Sequence, residues 1–312
     1  MENALVKKEG WRITPLMSEA KFPINNELEF NKFLVREYLK HGSVDEVLRV
    51  HKFDLPLSYA SYQRILDKWH IVKAAGPNST LSEAISFFSK LAYENVPFEV
   101  LYKKMPPSFQ TSAVTLYRIL AYMKEGLTRR VGAALIITPY NDSQKILVAN
   151  DISTPRLELG KPYGAVSIPM GYAKKRETWK NSVLRILQHE VFTQKAIENV
   201  IPDELLGAIK TPFMYLDVVD VRVSVYHLQL PKSYSSLKSF SSFKLKDYRF
   251  EQLTNLVSNN ARGGNFRTGL VEAVTGYKKY LNLLTRNLAA NPLQQKSFLN
   301  REIATVEVEI EG

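Results

Sequence analysis

The chain has 312 residues, 45% hydrophobic and 23% charged, with a formal net charge of +11 and no cysteine. That length favours more than one domain with enough apolar material for a core, and the missing cysteines exclude disulfides, thiolate metal sites and a cysteine nucleophile. No apolar run reaches the roughly 20 residues of a membrane span and "MENALVKKEGWRITP" lacks the apolar centre of a signal peptide, so the expectation is a cytoplasmic protein with no membrane partner.

The positive charge is spread over both halves and suits a polyanion such as nucleic acid or a nucleotide, or simply a well-solvated surface. Residues 1–24 read as an irregular lead-in. "NNELEFNKFLVREYLKHG" then spaces Leu28, Phe33, Leu34, Tyr38 and Leu39 at helical intervals and stops at Gly42, a C-terminal cap. Ser43 with Glu46 three residues later has the capping-box pattern of a second, short helix. A third opens after Pro56 with Ser58 as its cap and brings Tyr62, Ile65, Leu66 and Trp69 to one side. The same plan returns about 54 residues on, where "PFEVL" echoes "VDEVL" and "LYRIL" echoes "YQRIL". Residues 25–128 therefore read as two tandem three-helix units, 25–76 and 80–128.

Two short helices followed by a longer one is the plan of a helix-turn-helix. Its third helices carry Ser58, Ser61, Gln63, Arg64 and Lys68 in the first unit and Thr111, Ser112, Thr115 and Arg118 in the second, residue types that bond base edges and phosphates. The expected partner of these faces is double-stranded DNA; a plain wetted surface or a protein-docking module is the competing reading. Helix-turn-helix units often pair on two half-sites, so a homodimer is a further expectation, although no separate dimerisation element is visible.

From residue 129 the period becomes extended. Val131 to Thr138 reads as a strand, "PYNDSQ" as turn chemistry, and Lys145 to Ala149 as its hairpin partner. "PYGAVSIPMGY" leads into "GYAKKRETWKNSVLRILQHEVF". "LGAIKTPFMYLDVVDVRVSVYHLQL" reads as one or two strands, "PKSYSSLKSFSSFKLKDY" as a long surface loop, and Leu270, Val274, Tyr277 and Leu281 as one face of a closing helix. Residues 291–312 read as a tail, ending in an edge strand or a disordered segment. With five histidines scattered along the chain, no nucleophilic triad is visible.

In the central stretch Gly171, Glu177, Arg185, Leu187 and Glu190 fall in the register of the Nudix box, and residues 129–290 resemble the Nudix hydrolase fold. The resemblance implies a multidomain chain, with N-terminal all-α tandem helix-turn-helix units followed by an α/β/α Nudix-like mixed-sheet domain. In that family three carboxylates share one helix face and hold Mg²⁺ or Mn²⁺, which bridge the diphosphate and prepare a water. Here the face reads Ile186, His189, Glu190, and Phe192 replaces the final glycine. One metal-ligating carboxylate, Glu190, remains, with Glu177 and Arg185 expected as an ion pair supporting the loop. Asp217, Asp220 and Glu272 are acids from elsewhere that could complete a metal site, each more simply a surface or helix-start residue.

The resemblance also implies a phosphate pocket, for which Gly171, Lys161, Tyr163, Lys174, Lys175, Arg176, His189, Arg262 and Arg267 supply charge and stacking. The leading expectation is a DNA-binding regulator whose degenerate Nudix-like domain binds a nucleotide or nucleotide-sugar, an architecture similar to that of Nudix-related transcription regulators. The alternative is an active, metal-dependent hydrolase of nucleoside diphosphate derivatives, with the helical half as a docking or dimerisation module.

Overall fold

The computed structural model describes residues 22–24, 26–73, 118, 121, 125, 130–156, 160–174, 176–201, 204–207, 209, 211–261, 264–288 and 291–304. The first three-helix unit is formed as the sequence suggests: α1 (Glu27–His41), α2 (Val44–Val50) and α3 (Tyr59–Lys68). Its boundaries are local chemistry. Asn26, Ser43 and Ser58 each accept a backbone N–H of the following turn, and Gly42, at φ 82, closes α1 by donating to Tyr38 O. Leu34, Val35, Tyr38, Leu39, Val47, Tyr62 and Leu66 form its core, where the Tyr62 hydroxyl donates to Leu34 O at 2.6 Å. The second unit, 80–128, lies outside the described residues apart from Arg118, Ala121 and Glu125.

The remaining elements are β1 (Arg130–Thr138), β2 (Lys145–Asp151), β3 (Ala165–Ser167), β4 (Met170–Ala173), α4 (Trp179–Ile186), α5 (Thr193–Ile197), α6 (Glu204–Gly207), β5 (Met214–Val218), β6 (Val221–Gln229), β7 (Leu245–Gln252), α7 (Leu253–Ala261), α8 (Leu270–Thr285), β8 (Leu293–Lys296) and α9 (Phe298–Ala304). They build a five-stranded sheet of order β4-β1-β6-β5-β8 and a three-stranded sheet of order β3-β2-β7. Along β1 the side chains alternate between two cores. Ala134 and Ile136 face one that α7 and α8 cover with Leu253, Leu256, Leu270 and Tyr277; Ala133, Leu135 and Ile137 face another with Val183, Ile186 and Leu187 of the α4 region. Helices on both faces of a mixed sheet give the expected α/β/α layering.

Three expectations are corrected. β1 and β2 are not hairpin partners: β1 pairs with β4 on one edge and β6 on the other, and β2 pairs with β3 and β7 in the second sheet. The Ser- and Lys-rich stretch is not wholly a loop, because after two 3₁₀ turns it enters β7 at Leu245. The C-terminal segment is not a tail through residue 304. β8 adds to the sheet in parallel beside β5, and α9 supplies Asn300, whose amide accepts from Val219 N and donates to Val219 O. That clip holds Val219 at φ 57, a left-handed conformation that a β-branched residue rarely adopts unaided.

The helical unit is docked on the second domain. Ala196 and Ile197 of α5 belong to the helical core, Lys32 pairs with Glu198 at 2.8 Å, and the buried Trp69 indole donates to Ile197 O at 3.1 Å. Replacing Trp69 by Phe keeps most of the packing and removes that bond, so we expect a loss of about 1 kcal/mol in chemical denaturation; Trp69→Ala, which also empties the site, should cost about 3–5 kcal/mol.

Candidate functional site

Glu177, between β4 and α4, is held in a buried ion pair. Arg185 donates to Glu177 through Nε (3.2 Å) and Nη2 (3.0 Å), and Ser182 Oγ donates to the same carboxylate at 2.8 Å. Both charged side chains are 4% exposed, so each is tolerated only because the other neutralises it. The guanidinium lies under Gly171, where an added Cβ would stand 3.2 Å from Arg185 Nη1. The glycine, the glutamate and the arginine are thus one construction.

Beyond Ile186 the helix departs from expectation. Leu187–Val191 is a π-turn, with Phe192 N donating to Leu187 O. The following carbonyls are taken in sequence: Gln188 O by Thr193 Oγ1, His189 O by Ser242 Oγ, Glu190 O by Tyr248 Oη and Val191 O by Ser241 N. Phe192, fully buried against Phe240, fills the place of the family's glycine. Gln188 and His189 turn toward the helical unit rather than toward a metal. Gln188 accepts from Val72 N at 2.9 Å and donates to His70 O at 2.8 Å, and His189 Nε2 donates to Val72 O at 3.3 Å with its ring edge-on to Tyr38. Burial, with Lys244 and Arg185 nearby, pushes the His189 pKa down to about 3, so the ring is neutral.

Glu190 faces a cavity of about 500 Å³. Asp151, at the end of β2, is its acidic neighbour. Asp151 accepts from Ser153 N, Ser153 Oγ and Arg267 Nη1, and lies 3.7 Å from Lys161 Nζ. Lys161 in turn donates to Ser153 Oγ and Thr154 O. Lys244 Nζ stands 3.9 Å from Glu190 Oε1. Burial raises the Glu190 pKa, and Lys244 and Arg267 oppose the rise; burial and the neighbouring Arg267 lower that of Lys161. The loop carrying Arg267 and Thr268 is pinned at Gly160, φ 57, where any side chain would collide with Thr268.

This arrangement does not fit Mg²⁺ or Mn²⁺. Both oxygens of Asp151 are engaged, the third position of the helix face is Ile186, and Lys161, Lys244 and Arg267 bring positive charge to the place where a cation would sit. Among the described residues no group of three or more His, Asp or Glu side chains is placed to hold a metal ion. The acids considered from elsewhere have other partners: Asp217 pairs with Arg222, Asp220 with Arg130, and Glu272 accepts from Phe298 N.

Of the sequence-derived ligand residues, Gly171, His189, Lys161 and Arg267 line the cavity together with Glu190 and Arg185. Lys174, Arg176 and Tyr163 are exposed and are not among the residues lining it. Lys175 and Arg262 lie outside the described residues. Asp151, Ser153 and Lys244 were not foreseen; Asp151 and Ser153 sit in an Asx-turn pattern that the stretch "NDIS" does display. The helical unit also contributes, since His41, Gly42 and Ser43 at the α1–α2 corner form part of the wall. On α3, Ser58 is spent as the cap, Ser61 and Gln63 are half-buried, Arg64 and Lys68 are exposed, and Lys68 stands 3.7 Å from Glu27. Arg118 is exposed, and Thr111, Ser112 and Thr115 lie outside the described residues.

The neutral imidazole has a measurable consequence. A folded-state pKa depressed from 6.5 to about 3 gives stability that is fully present above 6.5 and is lost as pH falls through that interval. Relative to His189→Gln, which does not titrate, the wild type should lose about 1.4 kcal/mol for each pH unit below 6.5. Thermal unfolding of both proteins from pH 7.5 to 4 measures the difference; parallel curves would refute the buried neutral ring.

No family model matches the sequence, and no curated protein matches it. Solved structures of Nudix proteins match about half of the chain. A Nudix hydrolase from Nitrosomonas europaea is 13% identical, with 54% of this chain and 78% of that one covered and a TM-score of 0.35. A C. elegans Ap4A hydrolase in a binary complex is 12% identical over 49% of this chain and 98% of its own, TM-score 0.32. The Nudix domain of Shewanella oneidensis NrtR, complexed with ADP ribose, is 13% identical over 55% and 99%, TM-score 0.33.

Proposed function

We propose that residues 129–290 are a Nudix-like domain that binds a nucleotide-like anion without a metal, and that the chain is a DNA-binding regulator responding to that ligand. The observation that carries this reading is the cavity itself. Lys161, Lys244 and Arg267 supply around Asp151 and Glu190 the positive charge that a hydrolase would take from its metal ions, and the cavity's lining also includes His41, Gly42 and Ser43 of the helical unit. A ligand there touches both parts of the protein. It would shift the helical unit only through a difference in affinity between arrangements, and Gln188, bonded to both sides of Ile71, ties the pocket's helix to the chain leaving α3. The outer face of α3, with Arg64 and Lys68, is the proposed DNA face.

In EDTA, inorganic pyrophosphate should bind in calorimetry, and Lys244→Ala should weaken it about tenfold, the scale of one charge-assisted contact. Mg²⁺- or Mn²⁺-dependent cleavage of nucleoside diphosphate derivatives would instead establish an enzyme. Duplex binding that changes with ligand in the wild type should become indifferent to it in Gln188→Ala. Retention of only a salt-sensitive background on any duplex would remove the DNA half of the reading.

A further inference from the structure

Asp151 divides its two oxygens between different tasks. Oδ2 accepts from Arg267 Nη1 at 3.0 Å, while Oδ1 accepts from Ser153 Oγ at 2.5 Å. The Ser153 hydroxyl accepts in turn from Lys161 Nζ, also at 2.5 Å. Nζ itself lies 3.7 Å from Oδ1, beyond direct hydrogen bonding, so the hydroxyl is the path between them. Both bonds run in one sense, from ammonium to hydroxyl to carboxylate. A proton can therefore leave Nζ and an equivalent one arrive on Asp151 with no heavy atom displaced. Lys161, Ser153 and Asp151 all line the cavity.

The lysine at the head of this relay is placed against its own charge. Arg156 and Lys161 oppose each other across an isolated antiparallel bridge, bonded N to O in both directions at 2.8 and 3.0 Å. Like charges so opposed are unfavourable, and Arg267 adds a third cation at Asp151. Burial first, then Arg267 and, less strongly, Arg156 lower the Lys161 pKa against the pull of Asp151 and Glu190. A desolvated lysine crowded by cations and given an exit for its proton is an amine prepared to attack a carbonyl carbon. Lys244 has the charge without the exit: it stands 3.9 Å from Glu190, and no hydroxyl of the described residues bridges that gap.

We propose that Lys161 captures a phosphorylated aldehyde or ketone as an imine, with Ser153 as its proton relay to Asp151. This rests on the reading of the cavity as an anion site, Lys244 and Arg267 meeting the phosphate, and adds to it a covalent step. The ammonium gives one proton through Ser153 Oγ to Asp151. The freed electron pair of Nζ bonds to the carbonyl carbon as the C=O π pair moves onto oxygen. Nζ then passes one proton to that oxygen, and the proton held on Asp151 returns through Ser153 to release it as water. The nitrogen pair closes the C=N bond, leaving a protonated imine and the carboxylate as it began.

The full chain incubated with glyceraldehyde 3-phosphate and reduced with borohydride should carry a single adduct, mapped by mass spectrometry to Lys161, before any other lysine reacts. Glyceraldehyde, which lacks the anion, should label Lys161 more slowly. Lys161→Arg keeps the cation but has no amine to form an imine, and should lose the adduct. Ser153→Ala should slow labelling of Lys161 about a hundredfold, the scale of one proton-transfer group, and imidazole added to the buffer should restore much of the rate, which a merely structural hydroxyl would not allow. Labelling scattered over many lysines, an adduct placed on Lys244, equal rates with glyceraldehyde, or an unchanged rate in Ser153→Ala would overturn the proposal. Pyrophosphate calorimetry on the wild type separates the two levels: binding without the Lys161 adduct would sink the imine and leave the anion site, whereas absence of both would sink the two together.

Discussion

The structure turns on where five consecutive carbonyl groups, 187 to 191, find hydrogen-bond donors. A buried backbone acceptor left alone costs free energy on the order of a lost hydrogen bond. Here the donors come from separate parts of the chain: the π-turn's own Phe192 N–H, the Thr193 hydroxyl at the start of α5, the backbone and hydroxyl of Ser241 and Ser242, and the Tyr248 hydroxyl on β7. The segment leading to β7, α5 and the end of α4 are therefore fixed by one requirement. Because Lys244 belongs to that segment, the same requirement delivers its ammonium to Glu190.

The π-turn also decides which neighbour each side chain serves. In a continued α-helix the residues after Arg185 would keep the i, i+3, i+4 face that gathers carboxylates. Here Gln188 bonds to the helical unit, His189 bonds to it while also lining the cavity, and Glu190 faces the cavity. A glutamate at 189 would be a buried, unpaired charge against Tyr38 and Val72, whereas a neutral imidazole makes both contacts.

What the sequence revealed was local. Gly42, Ser43 and Ser58 announced their caps because capping needs only neighbours in the chain, and the Gly171–Glu177–Arg185 spacing was legible because the three residues lie close in sequence, on β4, on the turn before α4 and on α4 itself. The β1–β2 pairing was misread because "PYNDSQ" permits a hairpin, while the actual partners of β1, β4 and β6, are set by both of its faces being buried. Asp151 and Lys244 were illegible for the same reason: a strand-end aspartate and one lysine in a Ser-rich stretch acquire meaning only when tertiary structure brings them to Glu190. The π-turn left no mark in spacing at all, since it is dictated by hydroxyls contributed from residues 193, 242 and 248.

The parallel pairing of β8 with β5 imposes an order on biosynthesis. β5 leaves the ribosome early, paired on one side by β6, but its other edge stays open until residues 293–296 follow α8 out. At about 5–20 residues per second the wait is several seconds, during which an unpaired edge can recruit another nascent chain. The Asn300 clip on Val219 arrives later still. Anything that slows or truncates translation past α8 would therefore leave a helical unit able to fold beside an unfinished sheet, and solubility would be the first property to suffer.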